Sequence, residues 1–241
     1  MNTIYDDMWH LKGYSLAASW KRNDSHEMCI DSIHSFLKEF IELLPFWPPF
    51  FQPSFCKPEC FHNVPDKDKL RQMFMNDIVK DRPSDAWGSR MLFSNTGVQS
   101  IPFKIADWDF RKVVEITLTV GAYNGNVNGI AISFPPINDE LGERLTLQTF
   151  NDIFDLVVKC WRPICGRLKP GWWSSESDDY PFHNVGWVTY LSEKMGEIPK
   201  FPKWAILTPV EGYGTYIRAG NGLYEPDNPA HLKRMKKLQK P

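Results

Sequence analysis

Apolar residues follow helical spacing in three segments of the chain. Between residues 25 and 44, and again between 145 and 161, they recur in steps of three and four, which predicts two long helices with one buried face each. A third helix is predicted over residues 229–240, because Asn228 is a suitable N-cap and Pro229 suits the first helical position. The outer side of this C-terminal helix is basic, as expected for cations near a helix C-terminus.

Other segments alternate between apolar and polar residues, which is typical of strands. Val114, Ile116 and Leu118 share one face of a predicted strand over residues 113–121, and the turn residues 124–126 lead into a second strand over 129–134. Further strands are predicted over residues 14–20, 90–93, 185–191, 204–207 and 214–218. Adjacent strands with helices before, between and after them favour an α+β fold: a largely antiparallel sheet packed with two long helices and a C-terminal helix.

One segment fits neither pattern. Residues 45–65 contain six prolines interleaved with aromatic residues, and proline removes backbone donors that a central strand needs. We therefore expect an irregular segment held to the body by its aromatic side chains, followed by a short helix over residues 66–76. No linker divides the chain, so a single domain is predicted over residues 1–241.

Composition narrows the function classes. The 241 residues include 28 Lys+Arg and 29 Asp+Glu, a net charge of −1, which argues against a dedicated nucleic-acid binder. No apolar stretch is long enough to span a membrane, and acids near the start argue against a signal peptide. A cytoplasmic protein is expected, with its five cysteines reduced. Aromatic residues reach 14%, which predicts either a large core or surfaces that grip a partner.

Motifs for catalysis and cofactor binding are scarce. No GxSxG elbow, Walker loop, GxGxxG or HExxH stands in the sequence, so we expect no catalytic residues, no cofactor and no metal. Cys56, Cys60 and His62 resemble half of a zinc site, but a structural site wants four ligands. Buried thiols are the favoured interpretation, and a zinc module stays as an alternative.

A loop at residues 171–180 combines aromatic and acidic residues. Exposed Trp side chains concentrate binding energy at protein interfaces, and acids steer a basic partner toward them. The predicted partner-binding residues are Trp172, Trp173, Glu176, Asp178 and Asp179, with Asp139 and Glu140 as a secondary group. The alternative, a solvated loop with both Trp side chains in the core, is equally compatible with the sequence.

Several segments, in this order, resemble the immunity protein 52 family of bacterial polymorphic-toxin systems. The segment 185–192 (VGWVTYLS) is the most specific. The others are 14–21 (YSLAASWK), 25–29 (SHEMC), 119–123 (TVGAY), 131–136 (AISFPP), 211–215 (EGYGT) and 228–231 (NPAH). The similarity covers most of the chain, from about residue 14 to its end.

The resemblance implies a cytoplasmic protein without catalytic residues that neutralises a cognate toxin. Such a toxin typically carries a nuclease domain of the restriction-endonuclease fold and is delivered by contact-dependent or type VI secretion. The immunity protein would bind the toxin itself rather than nucleic acid or membrane, and a homodimer is left open. An alternative class is an enzyme or aromatic-rich small-ligand protein with a pocket around Asp107, Asp109 and His183.

Overall fold

The computed structural model describes the helices, the strands and some of the segments that connect them. The described residues are 13–21, 24–43, 50–52, 59–61, 64, 66–72, 99–103, 114–119, 128–136, 145–170, 185–225 and 228–238.

The described strands are β1 (Gly13–Trp20), β2 (Phe50–Gln52), β3 (Glu59–Phe61), β4 (Gln99–Phe103), β5 (Val114–Thr119), β6 (Asn128–Pro136), β7 (Cys165–Pro170), β8 (Val188–Ser192), β9 (Ile206–Val210) and β10 (Gly214–Arg218). All but β2 and β3 form one antiparallel sheet of eight strands, in the order β4-β5-β6-β1-β7-β8-β10-β9. The helices are α1 (His26–Leu43), α2 (residues 67–72), α3 (Leu147–Trp161) and α4 (Pro229–Leu238). The predicted α+β class is confirmed.

The first strand lies in the middle of the sheet. Ala17 of β1 is paired with Ala131 of β6 on one side and with Arg167 of β7 on the other. Burial alternates along β1, so Leu16 and Trp20 point to one face. This face carries the main core, because α3 packs against it and α1 packs on α3.

Aromatic side chains join the two long helices to the sheet. Trp161 of α3 stacks on Trp20 with ring centroids 5.4 Å apart, and it meets Phe36 of α1 at 4.6 Å. Such contacts contribute beyond the apolar area they bury. The predicted buried faces of both helices are confirmed: Ile30, Ile33, Phe36, Leu37 and Phe40 in α1, and Phe150, Ile153, Phe154, Val157 and Val158 in α3 are all buried.

Short polar side chains cap the helices at their N-termini. The Met28 amide donates to Ser25 Oγ at 3.3 Å, and the Thr149 amide donates to Thr146 Oγ1 at 3.1 Å. At α4, the Ala230 amide donates to Asn228 Oδ1 at 3.1 Å, so the predicted N-cap is confirmed. Each bond satisfies one of the amides that the first helical turn leaves unpaired.

The C-terminal helix and the chain before it lie against β8. The ring of Trp187 contacts Tyr224 and His231 at centroid distances of 5.5 and 4.6 Å, and its Nε1 donates to the Gly222 carbonyl at 2.6 Å. The Tyr14 hydroxyl donates to the Tyr224 carbonyl, tying this segment to β1. Met235 and Leu238 are buried while the cations of α4 are exposed, as the spacing predicts.

The structure corrects two expectations about the elements and leaves two others outside the described residues. The segment 45–65 is not wholly irregular, since β2 (Phe50–Gln52) and β3 (Glu59–Phe61) pair as a separate two-stranded sheet. Strands β4 and β7 were not predicted, because a proline interrupts the first and glycine and basic residues occupy the second. The strand predicted over residues 90–93 and the end of the helix predicted over 66–76 lie outside the described residues.

Candidate functional site

The sequence-predicted site residues fall outside the described part of the chain, so their placement stays a prediction. These are Trp172, Trp173, Glu176, Asp178, Asp179, Asp139 and Glu140, together with Asp107, Asp109 and His183 of the alternative pocket and Cys56 and His62 of the alternative zinc module. Only the backbone of Cys60 is described. The described cysteines Cys29, Cys160 and Cys165 form no disulfide with one another.

The described residues contain an acidic cleft that the sequence did not reveal. It has a volume of about 780 Å³ and lies between the C-terminal part of α1, the middle of α3, and the hairpin of β9 and β10. Its charged and tyrosine side chains are Glu39, Glu42, Asp152, Asp155, Lys159, Tyr213, Tyr216 and Arg218, and apolar residues at its walls include Leu43, Leu156, Pro209 and Val210. We call this feature the acidic cleft.

Two carboxylates of the acidic cleft come from the solvent side of α3. Asp152 and Asp155 are three residues apart, so they share a helix face next to the buried stripe. Asp152 accepts a hydrogen bond from Gln148 Nε2 at 2.7 Å, one turn earlier. Side-chain hydrogen bonding along the helix therefore orients this carboxylate before any partner arrives.

Tyr216 holds the second of these carboxylates. Its hydroxyl donates to Asp155 Oδ1 at 2.6 Å, and the tyrosine is only 6% exposed. Burial raises the pKa of Tyr216 well above its usual value, and the hydrogen bond to Asp155 raises it further. The hydroxyl therefore remains protonated and acts as a donor that fixes Asp155 at the mouth of the acidic cleft.

An ion pair neutralises one wall of the acidic cleft. Lys159 Nζ on α3 lies 2.8 Å from Glu39 Oε2 on α1, with both side chains largely in solvent. The hydrogen bond to Glu39 raises the pKa of Lys159. These two charges compensate each other. The other charged groups that line the acidic cleft are three carboxylates, Glu42, Asp152 and Asp155, and one guanidinium, that of Arg218.

Arg218 brings an unsatisfied donor to the same cleft. Its side chain leaves β10 on the helix side of the sheet, next to Tyr216. The Nε atom is buried and has no hydrogen-bond partner within the described residues. A buried donor without a partner costs free energy, and because Nε is inaccessible to solvent, no group of a binding partner reaches it in this conformation.

Contacts between its own residues hold the walls of the acidic cleft in place. Among the described side chains, no group of three or more His, Cys, Asp or Glu could hold a metal ion, so the carboxylates of the acidic cleft do not form one. Arg162 lies over the Tyr213 ring at 5.2 Å and fixes the hairpin wall from the end of α3. The result is a pre-positioned, net negative concavity.

Three buried tyrosines, of which Tyr216 lines the acidic cleft, predict a loss of stability at alkaline pH. Burial raises the pKa of Tyr190 to about 12, and burial also raises the pKa values of Tyr14 and Tyr216. The unfolded chain releases these protons from about pH 10 upward, whereas the folded chain keeps them. Stability is therefore expected to be intact below about pH 10 and to fall as pH rises toward 12.

Melting temperature measured against pH, together with tyrosinate absorbance, checks this expectation. Replacement of Tyr190 by phenylalanine removes one of the shifted groups and should make the alkaline loss shallower. An unperturbed tyrosine has a pKa of about 10. Ionisation of every tyrosine near that pH, with the protein still folded, would contradict the expectation.

None of the helices among the described residues is both long and apolar enough to cross a bilayer.

The chain was compared with curated proteins and with solved structures. No curated protein matches the chain. Among solved structures, the Pseudomonas aeruginosa T6SS protein PA0821 matches with a TM-score of 0.53 at 10% sequence identity, over 94% of this chain and 73% of that one. At this identity the likeness concerns the fold alone.

The family comparison is more direct. The sequence model of the family described as immunity protein 52 matches residues 12–240. This match confirms the resemblance drawn from segments such as 185–192 and 211–215. Because the match extends over nearly the whole sequence, the chain belongs to the immunity protein 52 family.

Proposed function

We propose that this protein is an immunity protein that binds a cognate bacterial toxin and neutralises it by stoichiometric inhibition, without catalysis of its own. The family match over residues 12–240 carries the proposal. The similarity in fold to a protein of a type VI secretion system supports that context. The proposed toxin is a nuclease of the restriction-endonuclease fold, met in the cytoplasm after delivery by a type VI or contact-dependent route.

Electrostatics support a nuclease-type partner. A nuclease cleft must attract phosphates and is therefore rich in Lys and Arg. An inhibitor that covers such a cleft needs carboxylates on its own surface, and complementary potentials accelerate association. The acidic cleft and the acidic residues at 176–179 both offer carboxylates to such a partner.

The direct test mixes the purified chain with a candidate toxin domain of the restriction-endonuclease fold. We expect an equimolar complex in size-exclusion chromatography and loss of DNA or RNA cleavage at equimolar ratio. Co-expression of the chain should also restore growth of cells that produce the toxin. A toxin that stays fully active with excess protein present would overturn the proposed function.

The same assay tests the predicted loop. Replacing Glu176, Asp178 and Asp179 together by lysine should slow association with the toxin and weaken its dependence on salt, because long-range attraction between the partners is lost. Stopped-flow association rates at low and high ionic strength measure this. Unchanged rates would remove the loop from the interface while leaving the proposed function intact.

A further inference from the structure

The acidic cleft carries a charge that the described fold does not compensate. Lys159 is engaged with Glu39 at 2.8 Å. Glu42 has no ion-pair partner within the described residues, and Asp155 is exposed although Tyr216 donates to it. Like charges held near one another repel, and the repulsion is relieved when a cation binds among them.

We propose that the acidic cleft receives a lysine- or arginine-bearing segment of the toxin, with Glu42 and Asp155 as the carboxylates that the incoming cation meets. The inference rests on the proposed function, because it identifies the surface and the partner chemistry of that binding. The partner is a polypeptide segment that projects from the toxin, such as a loop or a helix end.

Pre-organisation of Asp155 favours this role. Tyr216 is buried, its ring packs edge to face against Phe154 at 5.3 Å, and its hydroxyl holds Oδ1 of Asp155. The carboxylate is thus oriented by a side chain that is itself locked in the core. Binding to a group already in position costs less conformational entropy than binding to a free surface carboxylate.

The size and the walls of the acidic cleft agree with a side-chain-bearing segment. Its volume of about 780 Å³ lies within the range of about 300–1,000 Å³ typical of ligand-binding clefts. Leu43, Leu156 and Val210 line it beside the acids. Long Lys and Arg side chains lay their methylene stems on such apolar surface while the charged ends reach carboxylates.

A second copy of this chain is the competing occupant, because α4 presents exposed cations. Lys233, Lys236 and Lys237 all face solvent on that helix. A dimer in which α4 enters the acidic cleft of its neighbour would satisfy the same charges. The experiment therefore includes the oligomeric state of the free protein.

The test uses the isosteric double variant Glu42→Gln with Asp155→Asn, which removes two charges while the asparagine oxygen can still accept from Tyr216. The matched control is Glu193→Gln with Glu197→Gln, which removes two exposed carboxylates that do not line the acidic cleft. Affinity for the inactivated toxin domain is measured by calorimetry, and sedimentation velocity reports the oligomeric state of the free proteins.

We expect the cleft variant to bind the toxin about tenfold more weakly or worse, with a reduced salt dependence, while the control binds like the wild type. Equal affinity of all three proteins would overturn the inference and leave the proposed function standing. A wild-type protein that does not bind the toxin would overturn both. A wild-type dimer that the cleft variant abolishes would assign the acidic cleft to a second copy, against the inference.

Discussion

Replacing Phe154 by alanine is expected to lower the free energy of unfolding by about 3–5 kcal/mol. The ring is 1% exposed and contacts Tyr216 and Tyr190 at centroid distances of 5.3 and 6.3 Å. Its loss would open a cavity between α3 and the sheet that the strands cannot close. Urea denaturation followed by circular dichroism measures the effect, and Phe154→Leu, which keeps most of the volume, should cost less.

A double-mutant cycle with Gly166 tests the physical reason. A Cβ atom on Gly166 would lie 2.7 Å from Cε2 of Phe154, so Gly166→Ala alone should destabilise the protein by overpacking. In the Phe154→Ala background the same methyl group enters the vacated space, and its penalty should shrink or reverse. Additive losses in the double variant would show that helix and strand do not meet in this way.

Replacing Gly214 by alanine is expected to cost about 3 kcal/mol, at the upper end of the usual overpacking penalty. The added Cβ would collide with the Leu191 carbonyl oxygen and lie 2.8 Å from the Cα of Ser192. Both neighbours are backbone atoms of the paired strand β8, so no side-chain rotation can relieve the clash. Thermal unfolding of the variant, compared with the wild type, measures the cost.

Gly222 supplies the matched control. A Cβ there would have no heavy atom within 4 Å, and its carbonyl, which accepts from Trp187 Nε1, belongs to the backbone and is retained. Gly222→Ala should therefore leave stability nearly unchanged. If both glycine variants unfold at the same temperature, the close pairing of β10 with β8 does not require a glycine at position 214.

Periodicity predicted the elements whose environments differ from one face to the other. The helix α3 has a buried stripe and a charged side, so its apolar spacing is visible in the sequence. The strand β7 reads CGRLKP, and its buried positions are filled by Gly166, Leu168 and Pro170. Small or rigid residues at inward positions conceal the alternation of apolar and polar side chains along the strand. The neighbouring Phe154, rather than a large side chain of the strand itself, fills the space there.

The acidic cleft could not be predicted for a different reason. Its parts come from α1, α3 and the hairpin of β9 and β10, and no local pattern relates Glu42 to Arg218. The one sequence signal was the pair Asp152 and Asp155 beside the apolar stripe of α3, which is also typical of an ordinary solvated face. Only the packing of Tyr216 under α3 distinguishes Asp155 from other surface acids.

The segments that identified the family are largely structural. Trp187 and Tyr190 are each 1% exposed, and a Cβ on Gly186 would collide with the Leu168 carbonyl. These residues specify how β8 packs between its neighbours, so they mark the fold and not the surface that meets a partner. Proteins that share this core can therefore differ in the surface that they present to a partner.

The central position of β1 has a consequence for how the protein is made. Ala17 has partners only at Ala131 and Arg167 within the sheet, and Tyr14 is tied to Tyr224 near the far end of the chain. Pairings so distant in sequence carry a large loop-closure cost and form slowly. While a ribosome is still translating the first half, the strand at the middle of the sheet has nothing to pair with. Under the proposed function, inhibition of the toxin would therefore begin only after the strands that flank β1 have left the ribosome.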